Sequence, residues 1–199
     1  ASDVYKRQLH MHPELGFEEV RTSGVIKEFL KENNIPYIEV AKTGVCGIIT
    51  GTKDGEGKVV ALRGDIDALP IQDMKSCEYK SQIPGRMHAC GHDSHTTILM
   101  GAAKILNKYK DKFSGTVKLL FEPAEETTGG APHMITQGVL ENPRVDCIFG
   151  LHVDEETECG TIKIKKGVVN AASNPYNIKI TGQGGHGLSL IHISEPTRP

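Results

Sequence analysis

Apolar positions recur with helical spacing in two parts of the chain. The first is 17–30, where Glu18 and Glu19 stand as acidic residues of a first turn. The second follows the segment MHACGHDSH, and Asp93 or Ser94 is suited to be its N-terminal cap. The pattern therefore predicts two amphipathic helices, one before and one after a pair of strands.

Short apolar, β-rich runs predict the strands. Segments 44–51 and 58–70 flank a turn-forming stretch and are predicted to be neighbouring strands. Segment 115–126 predicts a buried strand that leaves the core at Pro123, and 145–153 predicts a further buried strand. A helix near 131–137 lies between them. This alternation predicts an α/β fold, a mostly parallel sheet with helices on both faces.

The pattern changes after this region. Segments 160–167 and 174–187 read as strands with no helix between them, so a second, smaller domain is predicted to start near Val168. A length of 199 residues is compatible with one domain and part of another, since domains usually have about 100–200 residues.

Composition excludes several classes of function. Hydrophobic residues make up 38% and charged residues 24%, and the net charge of -2 offers no basic excess for nucleic acid or anionic lipid. We expect neither a nucleic-acid nor a membrane partner, but a small-molecule substrate. Five cysteines without a CxxC pair predict reduced thiols and a cytoplasmic location.

In sheets of the predicted kind, ligands bind beyond the carboxyl ends of the strands. Acidic, imidazole and thiol side chains converge there from four segments of the sequence. Such mixtures suit zinc or manganese, and two metal ions can share a water and lower its pKa. An adjacent glutamate pair lets one carboxylate bind metal while the other moves a proton. The residues are Asp65 and Asp67; Cys90, His92 and Asp93; Glu125 and Glu126; and His152.

Each residue alone has another explanation. Cys90 could be a nucleophile with His92 or His88 as its base, although papain-like signatures are absent. His88, His92 and His95 could be polar loop residues, His152 a satisfied buried histidine, and the glutamate pair a solvated helix start. The joint placement at successive strand ends favours the metal site.

Six segments of the chain form a recognisable series. They are LHMHPELGFEE (9–19), RGDIDALPI (63–71), GRMHACGHDSHTTILMGAAKIL (85–106), LLFEPAEETTGGA (119–131), FGLHV (149–153) and ITGQGGHG (180–187). In order and spacing they resemble the amidohydrolase branch of metallopeptidase family twenty. That branch includes hippurate hydrolases, N-acetyl-diaminopimelate deacetylases and plant indole-acetyl-amino-acid hydrolases.

The resemblance implies a hydrolase of N-acyl amino acids with two divalent metal ions, Zn or Mn. Its fold would be a zinc-peptidase-like catalytic domain interrupted by a ferredoxin-like lid, through which a homodimer or higher oligomer forms. By matching position it implies four metal ligands, a general base that activates water, an aspartate that orients a ligand, and a lid histidine that polarises the amide carbonyl or stabilises the tetrahedral oxyanion. The implied metal ligands are Cys90, His92, Glu126 and His152, and the implied general base is Glu125. The orienting aspartate is Asp67, and the lid histidine is His186.

Both ends depart from the family pattern. Residues 1–8 and 188–199 look like translated adapter sequence, so we expect a gene fragment with artificial termini. The remainder is predicted to be the N-terminal part of the catalytic domain (9–168) and the start of the lid (169–187). We expect the fragment to be inactive and its parent to be the amidohydrolase. Two alternatives are a catalytically silent homologue that binds acyl amino acids and a structural metal domain.

Overall fold

A computed structural model of the chain describes residues 2–127, 129–169, 176, 178–179 and 181–182. The chain divides into two compact units, 1–155 and 156–199. The first unit holds every helix and strand of the described residues, and the described residues of the second form turns and loops. In the part of the chain that the structure describes, no helix is long and apolar enough to cross a membrane.

One mixed sheet contains the strands β1 (Tyr37–Val40), β2 (Gly44–Thr50), β3 (Val59–Asp65), β4 (Thr116–Glu122) and β5 (Cys147–Gly150). Their order in the sheet is β1-β2-β4-β3-β5. β3 lies parallel to β4 and to β5, so Val60 stands opposite Val117 on one side and Cys147 on the other. The β1/β2 and β2/β4 pairs are antiparallel.

Helices cover both faces of the sheet because each face of the central strands is apolar. One core contains Leu30 and Met100 from two helices packed on Leu119 of β4, and the opposite core contains Met134 packed near Leu120. The helices are α1 (Ser2–Met11), α2 (Val20–Glu32), α3 (His92–Lys108) and α4 (Gly130–Thr136), with a 3-10 turn at Lys110–Lys112.

Local chemistry sets where the two long helices begin. The Glu14 carboxylate accepts hydrogen bonds from the backbone N–H groups of Arg21 (2.9 Å) and Thr22 (2.8 Å), which satisfies two free donors at the start of α2. Gly91 precedes α3 with a left-handed φ of 86°, a conformation that favours glycine. The ligand-rich turn and the start of α3 are therefore one continuous structure.

The α/β fold class is confirmed, with several corrections. Only the β4-β3-β5 half of the sheet is parallel, and β4 inserts between the two strands predicted to be neighbours. β5 is exposed instead of buried because it lies at the sheet edge. Segment 160–167 forms loops and bends instead of a strand, and most of the predicted strand 174–187 lies outside the described residues. Asp93 and Ser94 lie inside α3 instead of capping it.

Candidate metal centre

The carboxyl ends of the three parallel strands bring the predicted residues together. β3 ends at Asp65, and Asp67 follows two residues later. β4 is followed by the Glu125–Glu126 pair, and β5 is followed by His152. His92 is the first residue of α3, which packs on β3. Four separate segments therefore contribute to one edge of the sheet.

His92 is held by one ring nitrogen while the other has no hydrogen-bond partner. Its Nδ1 lies 3.1 Å from Asp67 Oδ1, and the second oxygen of Asp67 accepts the backbone N–H of Glu126 at 3.0 Å. The buried Nε2 of His92 and the buried Oε1 of Glu126 make no hydrogen bond and lie 3.7 Å apart. Glu125 Oε2 is 3.9 Å from the same Nε2. Asp65 Oδ2 lies 3.5 Å from this Nε2, so Asp67 fixes the imidazole with its free nitrogen facing three carboxylates.

Cys90 and His152 form the other side of the centre. The Cys90 Sγ lies 3.2 Å from His152 Nε2. His152 Nδ1 lies 2.7 Å from the backbone carbonyl of Val153, an acceptor, so Nδ1 carries the proton and Nε2 presents a lone pair. A sulfur and an imidazole nitrogen, both soft or borderline metal ligands, therefore face each other.

The charges around Cys90 argue against a nucleophilic cysteine. Burial and the neighbouring carboxylates, Glu126 foremost, raise the pKa of the Cys90 thiol to about 12. Reactive cysteines occupy electropositive surroundings that lower the thiol pKa instead. A thiolate at this position needs a cation beside it, so the metal interpretation of Cys90 is favoured over the nucleophile.

The pKa values of the other central groups follow from the same crowding. Burial alone would lower the pKa of His92, but its hydrogen bond to Asp67 and the charge of Asp65 raise it. Burial raises the pKa of Glu125, partly offset by His92 and Arg63. A carboxylate with a raised pKa is better suited to accept and return a proton near neutral pH.

The donor set fits a metal. Among the described residues, three groups of His, Cys, Asp and Glu place one ligand atom each within 4.8 Å of one another, and all three contain His92. Two of the groups combine His92 with other unsatisfied or lone-pair donors. The third contains His95, both of whose ring nitrogens already have partners in Asp65 and Val153. The first two groups are Cys90, His92 and His152, and His92, Glu125 and Glu126.

Arg63 balances part of the negative charge at this edge. Its guanidinium lies 2.7 Å from Asp65 Oδ2 and 2.6 Å from Glu122 Oε2, and 4.0 Å from Glu125 Oε1. The half-buried arginine thereby holds two buried carboxylates in place beneath the glutamate pair.

The structure brings six of the seven predicted site residues together: Cys90, His92, Glu125, Glu126 and His152, with Asp67 behind them. The seventh, His186, lies outside the described residues. Asp93, predicted as a helix cap and as one of the residues at this edge, instead lies with its carboxylate 2.9 Å from His10 Nδ1 of α1.

Three contributors were missed from the sequence: Arg63, His95 and His10. Arg63 and His95 lie within the segments quoted above and act on Asp65. His10 contacts Asp93 across 83 residues of sequence. Two signals in the sequence could have indicated them. Arg63 stands beside the pair of aspartates, and His95 stands one helical turn after His92.

Comparison with known families matches residues 61–197 to the peptidase family M20/M25/M40, which is more than half of the chain. The chain belongs to this family. The resemblance found from the sequence motifs is thereby confirmed.

Two curated relatives illustrate the similarity. The chain is 46% identical over 192 residues to IAA-amino acid hydrolase ILR1-like 4 of Arabidopsis thaliana, covering 96% of this chain and 42% of that protein. It is 44% identical over 183 residues to N-acetylcysteine deacetylase of Bacillus subtilis, covering 91% of this chain and 47% of that protein. The chain therefore spans somewhat less than half the length of these relatives.

A solved structure supports the fold of this M20/M25/M40 chain. The YXEP protein of Bacillus subtilis, described as a dinuclear metal-binding peptidase from the M20 family, superposes with a TM-score of 0.79 at 43% identity. The match covers 83% of this chain and 46% of that one. The architecture described above is thus that of an M20 catalytic domain.

Proposed function

We propose that the parent protein hydrolyses the amide bond of N-acyl amino acids, and that these 199 residues supply its general base and four of its metal ligands. The observation that carries the proposal is the buried, unpartnered Nε2 of His92, which faces the unpartnered Oε1 of Glu126. A buried imidazole nitrogen and a buried carboxylate oxygen without hydrogen bonds are costly unless another group completes them.

The ligand assignment follows the geometry. Cys90, His92, Glu126 and His152 would be ligands of two divalent metal ions, Zn or Mn, and His92 would offer its single free nitrogen to one of them. When bound, such ions polarise a substrate carbonyl and lower the pKa of water. Asp67 orients His92 and the Glu126 backbone, as carboxylates behind metal-bound histidines commonly do.

Glu125 is the proton carrier. Its carboxylate is partly exposed and lies 3.9 Å from the unpartnered nitrogen of His92. It accepts a proton from the water that adds to the amide carbon. It then donates that proton to the amide nitrogen as the C–N bond breaks, releasing a carboxylate and an amino acid.

Glu125→Gln tests this role. The parent protein is loaded with Zn or Mn, and turnover of hippurate and of an N-acetyl amino acid is measured. Removal of the general base should lower kcat by about 10²–10⁴-fold while the bound metal remains. Glu28→Gln, on the exposed side of α2, is the matched control and should leave kcat unchanged.

Three results would count against the proposal. Unchanged turnover in Glu125→Gln would exclude Glu125 as the general base. Substrate binding without turnover in the wild type would favour the catalytically silent homologue. A chain that unfolds on chelation would favour the structural metal domain. The core between α2, α3 and the sheet contains 13 buried apolar residues, so the fold should survive loss of metal.

The remaining features stay proposals. His186 would polarise the substrate carbonyl from the lid, through which the parent forms a homodimer or higher oligomer. A cytoplasmic location is in keeping with five free thiols at positions 46, 77, 90, 147 and 159. The relatives that act on IAA-amino acid conjugates and N-acetylcysteine suggest acyl amino acids without choosing among acyl groups.

A further inference from the structure

His95, one turn into α3, is fully buried and engaged at both ring nitrogens. Its Nδ1 lies 2.6 Å from Asp65 Oδ1, and its Nε2 accepts the backbone N–H of Val153 at 2.9 Å. Since a backbone N–H can only donate, Nε2 is bare and the proton resides on Nδ1, where Asp65 accepts it. This orientation gives His95 no lone pair to offer a metal.

The partner of His95 is the residue directly after His152. Val153 is held at three points: its N–H by His95, its carbonyl by His152 Nδ1, and its side chain against the backbone of Gly91. These contacts tie the exposed segment after β5 to the turn that carries Cys90. The ring of His95 also packs on that of His152, with centroids 4.5 Å apart.

We infer that His95 is a positioning residue, which holds the Val153 backbone so that His152 Nε2 faces Cys90 Sγ. Asp65 sets the tautomer that makes this possible, and His95 itself binds neither metal nor substrate. The inference rests on the proposed metal centre, because its effect is on two of the proposed ligands.

Two substitutions separate the two hydrogen bonds of His95. In His95→Gln the side-chain oxygen reaches the position of Nε2 and can accept the Val153 N–H, while the bond to Asp65 is lost. In His95→Asn the amide nitrogen reaches the position of Nδ1 and can donate to Asp65, while Val153 loses its acceptor. The same pair at His133, an exposed histidine of α4, is the control.

Co²⁺ titration gives the readout, because the thiolate-to-cobalt charge-transfer absorption reports Cys90 as a ligand. We expect His95→Asn to weaken Co²⁺ affinity by about 10–100-fold and to reduce this absorption. His95→Gln should lose less than about tenfold and keep the absorption. Thermal melts in chelator check that both variants are folded to the same degree.

Three outcomes overturn the inference. Tighter Co²⁺ binding by His95→Asn than by His95→Gln would mean that His95 acts through Asp65 alone. Equal affinities for both variants and the wild type would mean that the Val153 contact does not position His152. A fall in the number of bound ions in both variants would make His95 a ligand. Absence of Co²⁺ binding in the wild type would instead reject the proposed function itself.

Discussion

Glu19 is buried at the junction of three segments, and its removal should destabilise the fold strongly. Its carboxylate accepts a hydrogen bond from the Thr43 hydroxyl at 2.6 Å and another from the Ala124 backbone N–H at 2.8 Å. Glu19→Ala leaves both donors buried without a partner, at a cost of about 1–3 kcal/mol for each. The expected loss of about 2–6 kcal/mol is a large part of a typical domain stability of about 5–15 kcal/mol.

The effect of the negative charge of Glu19 can be tested separately from the effect of its hydrogen bonds. Burial raises the pKa of Glu19 above its ordinary value of 4.5, although the bonds from Thr43 and Ala124 lower it in part. A raised folded-state pKa means that ionised Glu19 opposes folding; the penalty is absent below the unfolded pKa and full above the folded one. Glu19→Gln should therefore become more stable relative to wild type as pH rises through this window.

Urea unfolding at several pH values measures both effects. Glu18→Ala is the neighbouring control, because Glu18 is exposed and its carboxylate pairs with Arg86 at 2.9 Å. It should cost about 0–1 kcal/mol. The reasoning is refuted if Glu19→Ala costs no more than Glu18→Ala, or if the stability of Glu19→Gln relative to wild type falls with rising pH.

Two further substitutions test the helix starts, both by urea unfolding. Gly91→Ala should cost at least about 1–2 kcal/mol because of its left-handed φ, and its Cβ would collide with Val153. Gly101→Ala, inside α3 with open space around it, should instead stabilise the fold by about 0.5–1 kcal/mol. If Gly91→Ala and Gly101→Ala changed the free energy of unfolding in the same direction, the argument would be contradicted. Glu14→Ala should cost about 0.5–2 kcal/mol through its two hydrogen bonds to α2, and a loss no larger than that of Glu28→Ala would contradict this.

The elements of the fold were predictable where the pattern is local. The helix predicted over 17–30 is α2, and the strand predicted to end at Pro123 is β4, because apolar spacing reports directly which face is buried. The order of strands was not predictable in this way. The insertion of β4 between β2 and β3 depends on pairings across about 70 residues, such as Cys46 with Leu120, that leave no periodic signal.

The same division holds at the candidate site. Residues at strand ends could be found from the sequence because parallel strands carry them to one edge. Their supports could not, since each joins distant segments: His95 to Val153 across 58 residues, and Glu19 to Ala124 across 105. Glu19 was expected in the first turn of a helix, and its burial depends on where Ala124 returns in space.

Charge at the sheet edge is the strongest physical reason for placing a cation there. Arg63 pairs with the buried Asp65 and with Glu122, which leaves Glu126 without a hydrogen bond to its Oε1. Burying carboxylates together is costly unless positive charge or donors compensate them. The two oxygens of Asp67 are hydrogen-bonded to His92 and to the Glu126 backbone N–H. Asp67 therefore adds negative charge and gives the Glu126 carboxylate no compensating partner. A divalent ion between the glutamate pair and the free nitrogen of His92 would supply the missing compensation.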